Sequence, residues 1–327
     1  MPEFRRIPVI RVLVVALAFS SGALAQDAAP PTQDTAPPLD FGAPLSHGEL
    51  GLRYWLSTGE NKHAHNAQGL VPSLGNPTSV LLYENLDAHV LEIFGRQRFA
   101  ERWFLKGTLG IGRINTGSFD DEDFNAGQVK FSDTTSSVTA GRIGYGTFDV
   151  GHQWLLRQGT INLGVFAGYS QWTEQYQASG LTNTVGGGTD RDTSVKVIEN
   201  DLTWKALRIG FAGQFVFGRA RLGLDLALIP YATYRNEDSH LLRQDPGDLG
   251  PAPNIVLEGD GRGIQFDAEL GYEVHRRTIV ALGWRYWYLE STDGKRKLPN
   301  FPGFAELPVT ELYSKRMGAT LSVRHLW

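Results

Sequence analysis

The clearest regularity in the chain is a period of two. From Ile264 to Val274, the apolar side chains of Ile264, Phe266, Ala268, Leu270, Tyr272 and Val274 alternate with Gln265, Asp267, Glu269, Gly271 and Glu273. Successive side chains of a β-strand point to opposite faces, so this segment presents one apolar face and one polar or small face. The pattern returns in Leu222, Leu224, Leu226 and Leu228, in Ile161, Leu163, Val165, Ala167 and Tyr169, and in Leu207, Ile209, Phe211, Phe215 and Phe217. The apolar rows end in aromatic residues such as Trp284, Tyr286 and Tyr288, while the other face carries Asp, Glu, Arg and Gly. A polar lumen, an apolar exterior and aromatic girdles together describe a transmembrane β-barrel of the outer-membrane type.

Ten such segments are predicted, at 48–56, 79–96, 103–114, 137–155, 161–174, 203–217, 221–234, 262–274, 278–290 and 311–327. Short turns near 99–102, 157–160, 218–220 and 275–277 alternate with long loops at 57–78, 115–136, 175–202, 235–261 and 291–310. The expected fold is therefore all-β, a ten-stranded antiparallel barrel with both termini in the periplasm and its long loops outside. Its strands should continue past the bilayer, because the chain is generous for ten spans of about 9–11 residues each. The last strand alternates Met317, Ala319, Leu321 and Val323 with polar partners and stops at Trp327. Such an aromatic end is the mark by which barrel assembly machinery engages outer-membrane strands.

The N-terminus supports an envelope address. Arg5, Arg6 and Arg11 precede an apolar stretch from Val12 to Phe19, and Ala23-Leu24-Ala25 forms a small-residue cleavage site. Residues 1–25 read as a secretory signal peptide. Residues 26–45, with Pro30, Pro31, Pro37 and Pro38 among Ala, Thr, Gln and Asp, read as a disordered leader before a barrel domain at 46–327. The formal charge of −4 over all 327 residues becomes −6 once the signal's three arginines and one glutamate are gone. This argues against a nucleic-acid partner. The absence of cysteine excludes disulfide scaffolds and thiolate metal sites.

Two motifs carry candidate chemistry. Asp121-Glu122-Asp123 opens the long loop after the third strand, and Asp238-Ser239-His240 opens the one after the seventh. In extended chain the i and i+2 side chains share a face, and strands four steps apart in a ring of ten put the two pairs on roughly opposite walls of one mouth. Asp238 would fix the His240 tautomer and favour the imidazolium formed when the ring takes a proton from water. Similar patterns occur in Asp190-Arg191-Asp192 and Asp87-Ala88-His89, so the spacing alone is weak evidence. His63-Ala64-His65 lacks a third metal ligand, and Gly186-Gly187-Gly188 precedes no helix and reads as loop. Trp55, Trp103, Trp284 and Trp287 are expected mostly at the girdle or wall.

Parity raises a difficulty. Asp238 and His240 share even numbering with the lipid-facing Leu222 to Leu228, and Asp121 and Asp123 share odd numbering with Leu105, Leu109 and Ile111. A one-residue slip reverses every side chain beyond it, so both motifs can face the cleft only if each strand carries an irregularity. Pro230 is the expected place on strand seven, and Gly112 to Gly117 on strand three.

These features resemble the omptins, ten-stranded outer-membrane endopeptidases with a D-x-D pair facing a D-x-H pair. Asp121-Glu122-Asp123-Phe124, with Gly107, Gly110, Gly112 and Gly117 before it, is similar to the first element, and Asp238-Ser239-His240 to the second. Leu163 to Tyr169 also resembles the family's fifth strand. The resemblance implies an aspartic-type endopeptidase in which His240, oriented by Asp238, activates water that Asp121 and Asp123 help to hold. It implies no cofactor beyond a requirement for lipopolysaccharide, a peptide or protein substrate at the extracellular mouth, and outer-membrane lipids around the wall. Omptins that cut beside basic residues carry an acid two positions before the D-x-H aspartate, where this chain has Asn236. Glu237 next to it and Glu60 in the first long loop are the candidate substitutes for substrate binding. A non-enzymatic adhesin or structural barrel, and a small passive pore, are the alternatives.

Overall fold

The computed structural model describes residues 47–301 and 306–327. The signal peptide and leader read from the sequence lie outside these residues. The described chain forms ten strands: β1 (Gly48–His65), β2 (Ser79–Arg98), β3 (Trp103–Asn125), β4 (Val129–Leu156), β5 (Ile161–Val185), β6 (Arg191–Phe217), β7 (Ala220–His240), β8 (Ile255–His275), β9 (Thr278–Lys297) and β10 (Leu307–Leu326). Each pairs antiparallel with its neighbours in sequence, and β1 pairs with β10, so the sheet closes on itself and has no free edge.

Every expected strand exists, and each reaches further than apolar alternation indicates, with loops correspondingly shorter. The reason is visible on β1. Leu50, Leu52, Tyr54 and Leu56 are exposed on the outer wall, and the same face continues with Thr58, Glu60 and Lys62 while backbone pairing goes on to His65. Alternation of apolar and polar residues is required only where the wall meets lipid. Beyond that belt both faces are polar, and the period fades although the ladder does not. The belt runs round the barrel through exposed Leu91 and Ile93, Leu109 and Ile111, Phe148 and Val150, Leu207 to Phe211, and Leu270 to Val274. This is the exterior that a bilayer requires.

Inside, the barrel is filled. Trp55, Tyr145, Trp172 and Trp287 pack ring against ring with centroids 4.7–6.1 Å apart, mostly edge to face. Trp103 and Trp284 stand on the outer wall as expected, at 47% and 49% exposure, whereas Trp55 and Trp287 are interior at 0% and 2%. The correction follows from parity: both lie on odd positions of strands whose even positions face lipid. Arg316 crosses the interior to Glu174 (Nε to Oε1, 2.6 Å) and donates to Ser57 and the Leu86 carbonyl. Gly59, its partner across β1 and β10, makes room, since a Cβ there would lie 2.7 Å from the guanidinium carbon. Nearer the termini, Glu92 holds Arg53 and Arg285, Arg285 holds Asp267, and Arg324 holds Glu269. Lys106, Asp149, Arg208 and Asp225 form a second group beside a cavity of about 120 Å³.

Candidate active site

Both motifs sit at the end of the barrel away from the termini, above the apolar belt, and two strand irregularities decide which way they face. On β7, Ala227 and Ile229 are interior, but beyond the next two residues the interior positions are Ala232, Tyr234, Asn236 and Asp238. Pairing with β6 and β8 slips by one at Pro230 and Tyr231. Proline has no N–H for the ladder, which favours a bulge at that point. On β3, the interior positions change from Phe104 and Ile114 to Phe119. There Ala88 pairs with Ile114 and Asp87 with Thr116, leaving Asn115 unmatched between the expected glycines. Opposite it, β2 carries its own extra residue at Asn85 and Leu86, with Asn85 in the left-handed region at φ 52°. Each irregularity turns its motif inward.

Asp238 is completely buried, and its Oδ2 lies 3.1 Å from His240 Nε2. With Nε2–H donated to the carboxylate, Nδ1 is the ring nitrogen left to act as a base. The histidine is also fixed through its backbone. Asn254, buried on the far side of the β7–β8 loop, accepts from the His240 N–H (2.9 Å) and donates to the His240 and Gly250 carbonyls (3.1 and 3.2 Å). Arg243 ties the same loop to Asp248 at 2.7–3.0 Å. Asp121 and Asp123 are half-buried on β3, opposite Leu81 and Ser79 of β2.

The electrostatics of the cluster follow from burial and proximity. Burial alone would raise the Asp238 carboxyl, but the charge and hydrogen bond of His240, helped by the nearby His63 ring, reverse this and hold it well below the usual carboxylate range. Burial would lower His240, yet Asp238 and then Asp121 lift it above the ordinary imidazole value. Burial lifts Asp121 to about 7; Asp123 and Asp238 push the same way and the charge of His240 opposes. Asp123 is raised as well, chiefly by burial and against a hydrogen bond from Ser79. Both motifs thus lie at inward positions at the same end of the barrel, and His240 is the leading charge acting on Asp121.

The remaining sequence candidates separate cleanly. Asn236 is inward and fully buried one step below Asp238, with neither amide atom hydrogen-bonded. Glu237 is on the outer face, paired with Arg235, and Glu60 is on the outer face of β1, bound to Lys315 and Tyr313. Neither glutamate reaches the cleft, because each has the opposite parity to its inward neighbours, Asn236 and Asn61. The decoys also lie elsewhere: His89 Nδ1 meets Tyr54 on the outer wall at 2.5 Å, and Asp190 caps Asn183 in the β5–β6 turn. Among the described residues no group of three or more His, Cys, Asp or Glu is arranged to hold a metal ion.

Three contributors escaped the sequence reading. Asn254 acts only through the folded loop, and no local pattern marks it. Arg296, inward on β9, stands among Asp121, Asp123 and Asp238, and burial pulls it down to about 10. His63 faces Asp238 from across the barrel, Nε2 to Oδ2 at 3.8 Å. Its odd parity, shared with inward Trp55 and Asn61, was the available signal.

The sequence matches no protein-family model and no curated protein at a significant level. Among solved structures, the barrel is similar to the outer membrane protease OmpT from Escherichia coli, with a TM-score of 0.67 at 12% identity over 86% of this chain and 96% of that one. The translocator domain of the autotransporter NalP from Neisseria meningitidis matches at a TM-score of 0.35 and 9% identity, over 85% and 88%. The attachment invasion protein Ail of Yersinia pestis matches at 0.29 and 9%, over 84% and 99%. The first of these establishes a shared ten-stranded barrel fold.

Proposed function

We propose that this protein is an omptin-like outer-membrane endopeptidase of the aspartic type, hydrolysing peptide bonds at the extracellular mouth of its barrel. The observation that carries the reading is the Asp238–His240 pair turned inward by one bulge toward Asp121 and Asp123, turned inward by another. Water held between His240 Nδ1 and the β3 carboxylates gives its proton to the imidazole as its oxygen attacks the scissile carbonyl carbon. Asp238 stays ionised and stabilises the imidazolium, which then protonates the leaving amine as the C–N bond breaks. The likeness to OmpT supports the scaffold, and the motif resemblance supports the chemistry.

Location in the outer membrane, with the motif end of the barrel outward, belongs to the same proposal and is supported by the apolar belt; lipopolysaccharide at the wall is part of it on the motif resemblance alone. A passive pore is disfavoured by the aromatic and ionic filling of the interior. An adhesin would have no use for a buried histidine clamped by Asp238 and Asn254. The test offers refolded protein with lipopolysaccharide a mixed peptide library and reads new termini by mass spectrometry. Discrete cleavage sites are expected. A correctly folded barrel that generates none would contradict the proposal.

A further inference from the structure

His63 is 2% exposed, and its Nδ1 is buried without a hydrogen-bond partner. Its ring is presented to Asp238 across the mouth from β1, four strands away round the ring through β10, β9 and β8. Both imidazoles address one atom: Asp238 Oδ2 is 3.1 Å from His240 Nε2 and 3.8 Å from His63 Nε2, while Asp238 Oδ1 is buried with no partner at all. His240 therefore hydrogen-bonds this oxygen, and the His63 ring faces the same oxygen at ion-pair distance.

We propose that His63 is a positioning residue for the Asp238–His240 pair: by directing its Nε2 edge at the oxygen that accepts from His240, at ion-pair distance, it adds a second ring to the field of that oxygen and sets the base strength of His240. The direction is fixed by electrostatics. An N–H edge turned toward the carboxylate offsets part of the negative charge that stabilises imidazolium, so His63 keeps His240 a weaker base than Asp238 alone would make it. The same contact guards Asp238 against taking a proton, in line with the contribution of His63 to its depressed titration. Other charged or titratable groups facing the pair are His65 on β1, Tyr83 on β2, Asp121 and Asp123 on β3, Arg296 on β9, and Arg243 with Asp248 in the β7–β8 loop. Among the described residues none of these lies within hydrogen-bond or ion-pair distance of Asp238 Oδ2, which leaves His63 as the direct modulator of the pair. The catalytic consequence rests on the proposed peptidase reading, but the effect on His240 does not.

The experiment titrates ¹⁵N-histidine-labelled, refolded protein by NMR, with the His240 resonance assigned from its loss in His240→Gln. In His63→Leu the His240 midpoint should rise by about 0.5–1 pH unit, and the acid limb of kcat/KM should follow it. In His63→Gln, which keeps a donor, both should stay near wild type. If His63→Leu does not regain the heat-modifiable gel band of a folded barrel, His63→Ala replaces it. An unmoved midpoint in the folded variant, or an equal rise in His63→Gln, overturns the proposal. A wild type that cuts no peptide removes the peptidase reading alone, because the NMR midpoints still decide the role of His63.

Discussion

Asn254 and His240 hold each other by two reciprocal hydrogen bonds, His240 N–H to Asn254 Oδ1 and Asn254 Nδ2–H to the His240 carbonyl. The histidine stands at the last position of β7, where the ladder ends and the backbone would otherwise be free to turn. Replacing Asn254 by Ala removes these bonds and leaves buried backbone groups unpaired. A loss of about 1–3 kcal/mol in placing the base corresponds to a fall in kcat of about 5- to 150-fold. Heat-modifiable migration should be unchanged. Wild-type kcat in Asn254→Ala would show that the loop is held by other means.

The pH dependence has a definite sign. His240 must be neutral to accept a proton, and it titrates above the ordinary imidazole value because Asp238 more than offsets its burial. Asp121, lifted to about 7 mainly by burial, loses its proton over the same range. Both changes favour turnover as pH rises, so kcat/KM should climb through neutrality and level off on the alkaline side. Asp238, held far below this range, adds no inflection there. A maximum near pH 5 would contradict the assignment of His240 as base.

Specificity should respond to Asn236. Neither proposed substitute acid reaches its buried, unpartnered amide, since Glu60 and Glu237 both face outward, and the neighbouring Asp238 is engaged by His240. The wild type is therefore expected to show no preference for Lys or Arg beside the cut. Asn236→Asp should raise relative cleavage at basic residues by about tenfold or more, the worth of one nearby opposite charge. Peptide profiling of the two proteins checks this, and an unchanged profile would count against Asn236 as a specificity residue.

Stability of the filled interior depends on Arg316 and Glu174. Arg316→Met leaves Glu174 buried without its cation, which costs about 3–5 kcal/mol. Urea unfolding followed by tryptophan fluorescence should show a clearly lowered midpoint. An unchanged midpoint would mean that this ion pair does not support the barrel.

Much of this architecture could be read from alternation alone, because lipid demands an apolar row on one face of every strand and the register follows from that. The height of the barrel above the bilayer could not, since polar residues on both faces carry no period. The orientation of the motifs was legible only indirectly: Leu228 and His240 have the same parity yet face opposite ways, and Pro230 between them announces the reversal. On β3 the glycines marked the region, while the unmatched residue is Asn115. Glu60 and Glu237 were plausible by distance along the chain and fail by parity. Arg296 and His63 meet the motifs through closure of the ring, although the parity of His63 already placed it inward, and Asn254 arrives through the fold of the β7–β8 loop.

The central claim is that His240 is the base that activates water for peptide hydrolysis. It is tested most directly by kcat/KM for the best library peptide, compared between wild type and His240→Ala, both refolded with lipopolysaccharide and matched for heat-modifiable migration. Loss of a positioned general base should lower the value by about 10²–10⁴-fold, while Asp190→Asn and His89→Gln remain within a factor of about two of wild type, as surface changes remote from the cleft should. Cleavage by folded His240→Ala at the wild-type rate would contradict the account.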